Sequence, residues 1–177
     1  KQWVKIREEL AEIAKDEAHI SDKKFYKICK KHKIVKKEAI KRLGDLFHDL
    51  GVFLHFRTDE VLRRVVILQN TWATKGVYEI LDNEFVRNKK GYFTIEEAET
   101  IWDNTDFEDM HHELVRMMEK FELCYRVPYA TPTAYISPNL LPTEKPDYQW
   151  NKQQNLIINY QYEFMPKGLL GRLIVRL

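Results

Sequence analysis

Six histidines and two cysteines are the side chains best suited to metal or nucleophile chemistry, and their spacing decides against both. His48 and His55 bracket the join in LFHDLGVFLHF (46–56), where a helical pattern meets a glycine and then a β-rich run. Zinc gathers its ligands within about 2.0–2.3 Å of one point, and no cysteine or carboxylate cluster completes such a set here. His111 and His112 are neighbours on a helix and face about 100° apart. HHELV also lacks the second histidine of H-E-x-x-H. The six glycines, at 44, 51, 76, 91, 168 and 171, form neither G-x-x-x-x-G-K-[ST] nor G-x-G-x-x-G. NKKG (88–91) and NKQQ (151–154) open like N-K-x-D but lack the aspartate, and read as polar turns. No G-x-S-x-G is present, and Glu96–Glu97 suit a helix's first turn, where carboxylates favour the dipole. The residues form no catalytic constellation. This stretch is expected to be no enzyme and to hold no metal or cofactor.

The remaining chemistry is charge. The net charge is only +2, yet residues 23–42 carry ten Lys or Arg against one acid, Glu38. If three helices and a hairpin here form a winged helix, Lys36, Lys37 and Lys41 would lie on the groove-entering helix. Arg57, Arg63 and Arg64 would surround the wing. Phosphate contacts of that kind give strongly salt-dependent binding. Against it, Asp45, Asp49, Asp59 and Glu60 sit among these cations, and the helix offers no Asn, Gln or Ser to base edges. Nucleic-acid binding is the alternative reading, and a solvated or protein-facing surface is the preferred one.

The elements that must position these residues follow from periodicity. Trp3, Ile6, Leu10 and Ile13 mark a first helix, and Ser21 N-caps a second carrying Phe25, Ile28 and Cys29. Ile40, Leu43, Phe47 and Leu50 mark a third, which Gly51 ends as a C′ residue. VFLHF and RRVVIL form a hairpin around RTDEVL. The order then repeats. Asn70 or Thr71 opens a helix through Trp72, Val77, Ile80 and Leu81, followed by a possible strand, GYF. Thr94 and Glu97 make a capping box for a short helix ending near Trp102. Asp106 caps another with Met110, Leu114, Met117 and Phe121, and LCYRV with TAYISP makes a second hairpin. Trp72, Phe47 and Phe121 are assigned to the core. The fold class is α+β, mainly helical. Two tandem winged-helix-like modules (1–69 and 70–138) and a linker (139–155) precede the first strands of a β-containing subdomain (156–177). Within it LIINYQYEF alternates, and GLLGRLIVRL is a second strand or the entry to a helix. Apolar residues make up 44% and aromatics 12% of the chain, enough for a core. No apolar run is long enough to span a bilayer. Cys29 and Cys124 lie far apart in apolar patterns and read as buried thiols in a reducing, cytoplasmic compartment. Both ends look cut from something larger.

Four stretches in order then carry a likeness. LGVFLHF followed by VVILQNTWATKGVYEIL, then GYFTIEEAETIW, then LVRMMEKFELCY with YISPNLLPTEKPD, and finally YEFMPKGLLGRLIVRL, resemble the COR domain that follows the Roc GTPase in Roco proteins. The resemblance implies a Roc domain upstream in cis, a parent protein that is a GTPase, possibly with a kinase, and a homodimer through a second COR domain. It implies a scaffold whose first half packs on Roc and relays its nucleotide state. Tyr135 in AYISP matches the family's Y-x-x-P segment and, with Phe53 and His55 of LGVFLHF, is a candidate GTPase-facing residue. Phe164, Pro166 and Gly168 would shape the junction between the COR halves.

Overall fold

The computed structural model describes residues 1–144, 147, 151, 153–166 and 168–177. It divides into two compact units, each interrupted in sequence. One comprises Lys1–Ile80 with Trp102–Met117, the other Leu81–Ile101 with Met118–Leu177. Residues 145, 146, 148–150 and 152 of the 139–155 linker stretch are outside the described residues.

The first unit opens with α1 (Gln2–Ile13), β1 (His19–Ser21), α2 (Asp22–Lys31) and α3 (Lys37–Asp49). Ser21 caps α2, its hydroxyl accepting from the Lys24 amide at 3.2 Å. The buried stripes Phe25, Ile28, Cys29 and Ile40, Leu43, Phe47 recur at helical spacing, and with Ile6 and Leu10 they close one core. A short 3₁₀ turn (Leu62–Arg64) leads into β2 (Val65–Ile67), which pairs antiparallel with β1, His19 opposite Ile67. Of the strand expected at VFLHF only Leu54 pairs, exchanging two 2.9 Å bonds with Ile67. The ladder stops there because the Asp59 carboxylate takes the Val61 and Leu62 amides into a tight turn.

Helix α4 (Asn70–Leu81) buries Trp72, Ala73, Gly76, Val77 and Ile80 along one face. Against it lie Trp102, Phe107 and Leu114, whose approach depends on Gly76. A Cβ there would sit 2.9 Å from Leu114 Cδ2 and 3.0 Å from Phe107 Cε1. The Trp102 indole donates to the Gly76 carbonyl at 2.9 Å, and that of Trp72 to the Asp106 carbonyl at 3.2 Å. Asp106 is not the N-cap expected of the next helix, which begins five residues later. Helix α7 (His111–Lys120) starts later, because 103–109 is held in turns by the Thr105 hydroxyl, which bonds to Trp102 O and the Phe107 amide.

The second unit contains α5 (Glu84–Asn88), β3 (Tyr92–Thr94), most of α6 (Ile95–Trp102), β4 (Tyr125–Arg126), β5 (Ala134–Ile136) and α8 (Leu169–Arg176). The strands run β3-β5-β4, all antiparallel. The expected capping box forms: Thr94 N donates to Glu97 Oε2 at 2.9 Å, and Glu97 N to Thr94 Oγ1 at 3.2 Å. Lys89 adds two bonds to Glu97 (2.7 and 2.9 Å) and lies over the rings of Phe85 and Tyr92, 4.8 and 4.9 Å from their centroids.

Two expectations are corrected here. Residues 156–164 form no strand and are exposed, and of the alternatives left open for GLLGRLIVRL the helix is the one adopted. Alternation specifies a strand only where a neighbour can take its ladder, and among the described residues none pairs with 156–164. Phe121 is 47% exposed rather than in the core, whereas Phe47 and Trp72 are buried as expected.

Glycine positions make the packing testable. Gly44, in mid-helix, has only Phe25 near its missing Cβ, at an ordinary 3.5 Å. Gly44→Ala is expected to raise stability by about 0.5–1 kcal/mol through helix propensity. Gly76→Ala is expected to lower it by about 1–3 kcal/mol through overpacking, despite the same gain. Urea unfolding of the two variants reads the contrast directly, and equal effects would refute the close approach.

Candidate functional site

The join between α3 and the wing is built by backbone closure. Gly51, at φ +68°, donates to His48 O at 3.0 Å, and the Val52 amide returns to Phe47 O at 2.9 Å. This pair of bonds satisfies the last helical carbonyls and requires a left-handed residue between them, which glycine supplies without strain. The same closure ends α2 with Lys33, α5 with Lys90 and α7 with Glu122 in the left-handed position.

The two histidines of the join hold the wing. His48 Nδ1 accepts from the His55 amide at 3.3 Å, and the His48 ring meets Phe56 edge-on at 5.2 Å. His55 Nε2 lies 3.0 Å from the Arg63 carbonyl, which can only accept, so the proton is assigned to Nε2. Among the described residues no group of three or more His, Cys, Asp or Glu gathers as a metal site. Phe53 is fully enclosed, edge-on to Phe25 at 5.3 Å and to Phe47 at 5.7 Å. Phe53 and His55 therefore shape this surface from beneath. Tyr135, in the other unit, is 9% exposed and stacks on Phe93 at 5.6 Å. Phe53 and His55 belong to the first unit and Tyr135 to the second.

Phe164, Pro166 and Gly168 do share one place, the entry to α8. Gly168 is its N-cap at φ +82°, the Leu169 amide bonds to Pro166 O at 3.3 Å, and Phe164 is 80% exposed. Sequence reading missed the anchor of this helix. Arg172 and Arg176, one turn apart, both reach Glu122 at 2.5 Å, and their bonds hold its carboxyl below the usual range. The i, i+4 arginines were a visible signal, but their partner, about 50 residues back, was not.

The expected phosphate-binding residues are partly occupied. Arg57 forks onto Asp45 (3.1 and 2.7 Å), and Lys41 bonds Glu38 at 2.9 Å. Lys36, Lys37, Arg63 and Arg64 are exposed and form no ion pair among the described residues. On the outer side of α3, acids Asp45 and Asp49 alternate with Leu46 (47% exposed) and Leu50 (64%). Beside Leu50 a groove of about 390 Å³ is lined by Leu10, Ala14, Val52 and Leu68, with Arg7 at its rim. Leucines and carboxylates suit a protein partner better than a DNA groove.

A buried ion pair also escaped the sequence reading. Asp59 is 6% exposed, and its Oδ2 accepts from Arg116 Nε at 2.9 Å across 57 residues. Burial raises the Asp59 pKa, but the Leu62 amide, Arg116 and the Val61 amide outweigh it and hold the carboxyl below its ordinary value.

Residues 1–141 match the family model described as "C-terminal of Roc, COR-A domain". The chain belongs to the COR-A family. The chain is 25% identical over 178 residues to a probable serine/threonine-protein kinase, roco11, of Dictyostelium discoideum, covering 92% of this chain and 12% of that protein. It is 29% identical over 143 residues to pats1 of the same organism (73% of this chain, 4% of pats1). It is 22% identical to a Roc-COR-CHAT protease of Runella zeae, covering 99% of this chain and 19% of the protease. Among solved structures, Methanosarcina barkeri Roco2 RocCORdC bound to GDP matches with a TM-score of 0.69 and 26% identity, over 80% of this chain and 44% of that one. The COR-A domain is thus a small part of its curated relatives, in a protein family where it follows a Roc GTPase. No helix among the described residues is long and apolar enough to cross a membrane.

The Asp59–Arg116 tie predicts an acid-sensitive fold. A depressed folded pKa contributes stability above the unfolded value, about 3.9 for Asp. That stability is lost as pH falls from there through the folded value. Asp59→Asn, which keeps a cap acceptor but no charge, is expected to cost about 1–2 kcal/mol at pH 7, Arg116 being 41% exposed. The variant would also show a shallower acid transition in denaturant unfolding. An unchanged transition would remove the pair from the stability of this unit.

Proposed function

We propose that this chain is a non-catalytic scaffold that packs on an adjoining Roc GTPase domain and couples its GTP/GDP state to assembly of the parent protein. The observation that carries the reading is the COR-A match over residues 1–141 together with the likeness to a RocCOR protein whose structure holds GDP. A scaffold responds to nucleotide only if it contacts the two states of the GTPase with different free energy, since equal affinity shifts nothing. The common size of such coupling is about 1–3 kcal/mol, a five- to 150-fold difference in affinity.

The surface proposed for this contact is the outer side of α3 and the adjacent groove. Leu46 and Leu50 supply exposed apolar area, and Arg7 and Asp49 offer polar contacts at the rim. Phe53 and His55 take part by fixing the wing beneath it. Tyr135 is kept as a separate contact in the other unit, and Phe164, Pro166 and Gly168 as the hinge toward a second COR half. Homodimerisation through that half, and any kinase or protease output, belong to the parent protein.

The test is calorimetric titration of this chain into the Roc domain encoded with it, loaded first with GDP and then with a GTP analogue. Micromolar or tighter binding that differs at least five-fold between the states is expected. Leu46→Asp with Leu50→Asp should weaken both by ten-fold or more, whereas Tyr135→Phe, which keeps the stack on Phe93, isolates the hydroxyl. Identical affinity in the two states would reduce the domain to a passive spacer.

A further inference from the structure

The basic cluster is not spread around the fold. On α2 the buried residues Phe25, Ile28 and Cys29 define one side. At 100° per residue, Lys23, Lys27 and Lys30 project within a sector about 60° wide on the opposite side. All three are exposed and form no ion pair among the described residues. Lys24 and Lys31, at the edge of this sector, reach back to Glu17 (2.5 Å) and Glu9 (2.9 Å) on the preceding segment. Glu17 and Glu9 are thus engaged by the flanking lysines, and the Asp22 carboxylate at the start of α2 accepts from the Lys23 amide, so the three ammonium groups of the central line keep no ion-pair partner among the described residues. Lys33, Lys36 and Lys37 continue it, exposed, through the connector to α3. Outside residues 23–42 the chain holds nineteen basic against twenty-six acidic residues. Nearly all its excess positive charge is on this one segment, so an extended anionic surface would orient the molecule with α2 toward it.

We infer that the Lys23–Lys27–Lys30 face of α2 is an electrostatic docking surface for an anionic lipid bilayer. The composition points to a diffuse, planar partner. Nine of the ten cations in 23–42 are lysines, which act as mobile point charges, whereas arginine forks are suited to bidentate phosphate or base-edge recognition. Tyr26 is half-buried, so this face presents no exposed aromatic platform for stacked bases. Neither groove described by its lining, at α1–α3 or beside α8, involves α2, and Val35 is the exposed apolar side chain of the connector. A polybasic helix face above a charged membrane needs none of these, since each lysine near the surface adds roughly five-fold to binding. The contact is distinct from the GTPase-facing surface proposed on α3 and would orient the protein without inserting it.

The test is co-sedimentation of the 177-residue chain with vesicles of phosphatidylcholine containing about a third phosphatidylserine, against pure phosphatidylcholine. Binding at low salt to the acidic vesicles alone, lost by about 0.5 M salt, is expected. Lys23→Gln, Lys27→Gln and Lys30→Gln together should weaken it roughly a hundred-fold, and Lys27→Gln alone roughly five-fold. The triple Lys→Arg variant should bind as the parent does. Lys5→Gln, Arg63→Gln and Arg64→Gln remove the same charge elsewhere and should have a smaller effect. All these positions are exposed, and an unchanged melting curve confirms the fold of each variant. Equal binding to neutral vesicles, retention in the triple Gln variant, or a larger effect of the control set would overturn the proposal. So would tighter binding to a DNA duplex than to the acidic vesicles at the same salt.

Discussion

The first unit depends on the missing side chain at position 76. Bare backbone on α4 lets Phe107 and Leu114 lie against it, and it leaves the Gly76 carbonyl open to the indole of Trp102. Close-packed interiors have no slack for an added methyl at 2.9–3.0 Å. Residues 102–117 belong to the same unit as residues 1–80 for this reason, although twenty-one residues intervene. The Asp59–Arg116 pair then adds a polar tie between the wing loop and α7. Its position under the wing also explains why the hairpin is shorter than a hairpin needs to be. The same carboxylate that meets Arg116 takes two loop amides, which draws the chain off the ladder after Leu54.

Helix ends repeat one solution with different residues. The closures after α2, α3, α5 and α7 each demand a left-handed residue, and only the one after α3 has glycine there. Lys33, Lys90 and Glu122 accept a conformation that costs an L-residue about 1–2 kcal/mol. In two cases the compensation is visible. Ile34 follows Lys33 and packs against the first core, and Glu122 is bonded by both arginines of α8. Glycine at 51 keeps the α3–wing join free of such strain, at the point where Phe53 must enter the core immediately afterwards.

Much of this was legible in the sequence, for identifiable reasons. Amphipathic helices with a stripe and a cap, such as α2 with Ser21 and α6 with Thr94 and Glu97, carry their own evidence locally. Gly51 announced the end of α3 because few other residues suit that position. What was not legible depends on partners distant in sequence. HIS at 19–21 becomes a strand only because Val65–Ile67 lies beside it, and the alternation of 156–164 yields none because no neighbour pairs with it. Helix α5 is five residues long and rests on the Asn83 cap, too short to show a period. Asp106 resembled a cap by type, but turns held by Thr105 delay the helix to His111. The candidate site divided in the same way. That His48 and His55 flank the α3–wing join was visible in the sequence, whereas the burial of Phe53, His55 and Tyr135 could not be known from one dimension.

This burial bears on how a scaffold of the proposed kind would work. A coupling of 1–3 kcal/mol is transmitted only if the surface that senses the nucleotide state does not relax by a similar amount on its own. The outer side of α3 meets that condition through what is beneath it. Phe25, Phe47 and Phe53 meet edge-on in the core, and His55 ties the wing to the Arg63 carbonyl. Burial also pushes the Cys29 thiol up to about 12, so this core carries a chemically quiet sulfur. In such a scaffold Phe53 and His55 would be the support that makes neighbouring contacts stiff, rather than contacts themselves. In such a domain the side chains that matter for signalling need not touch the partner. Their replacement would weaken discrimination between nucleotide states by softening the platform, even where the exposed leucines and acids above them are unchanged.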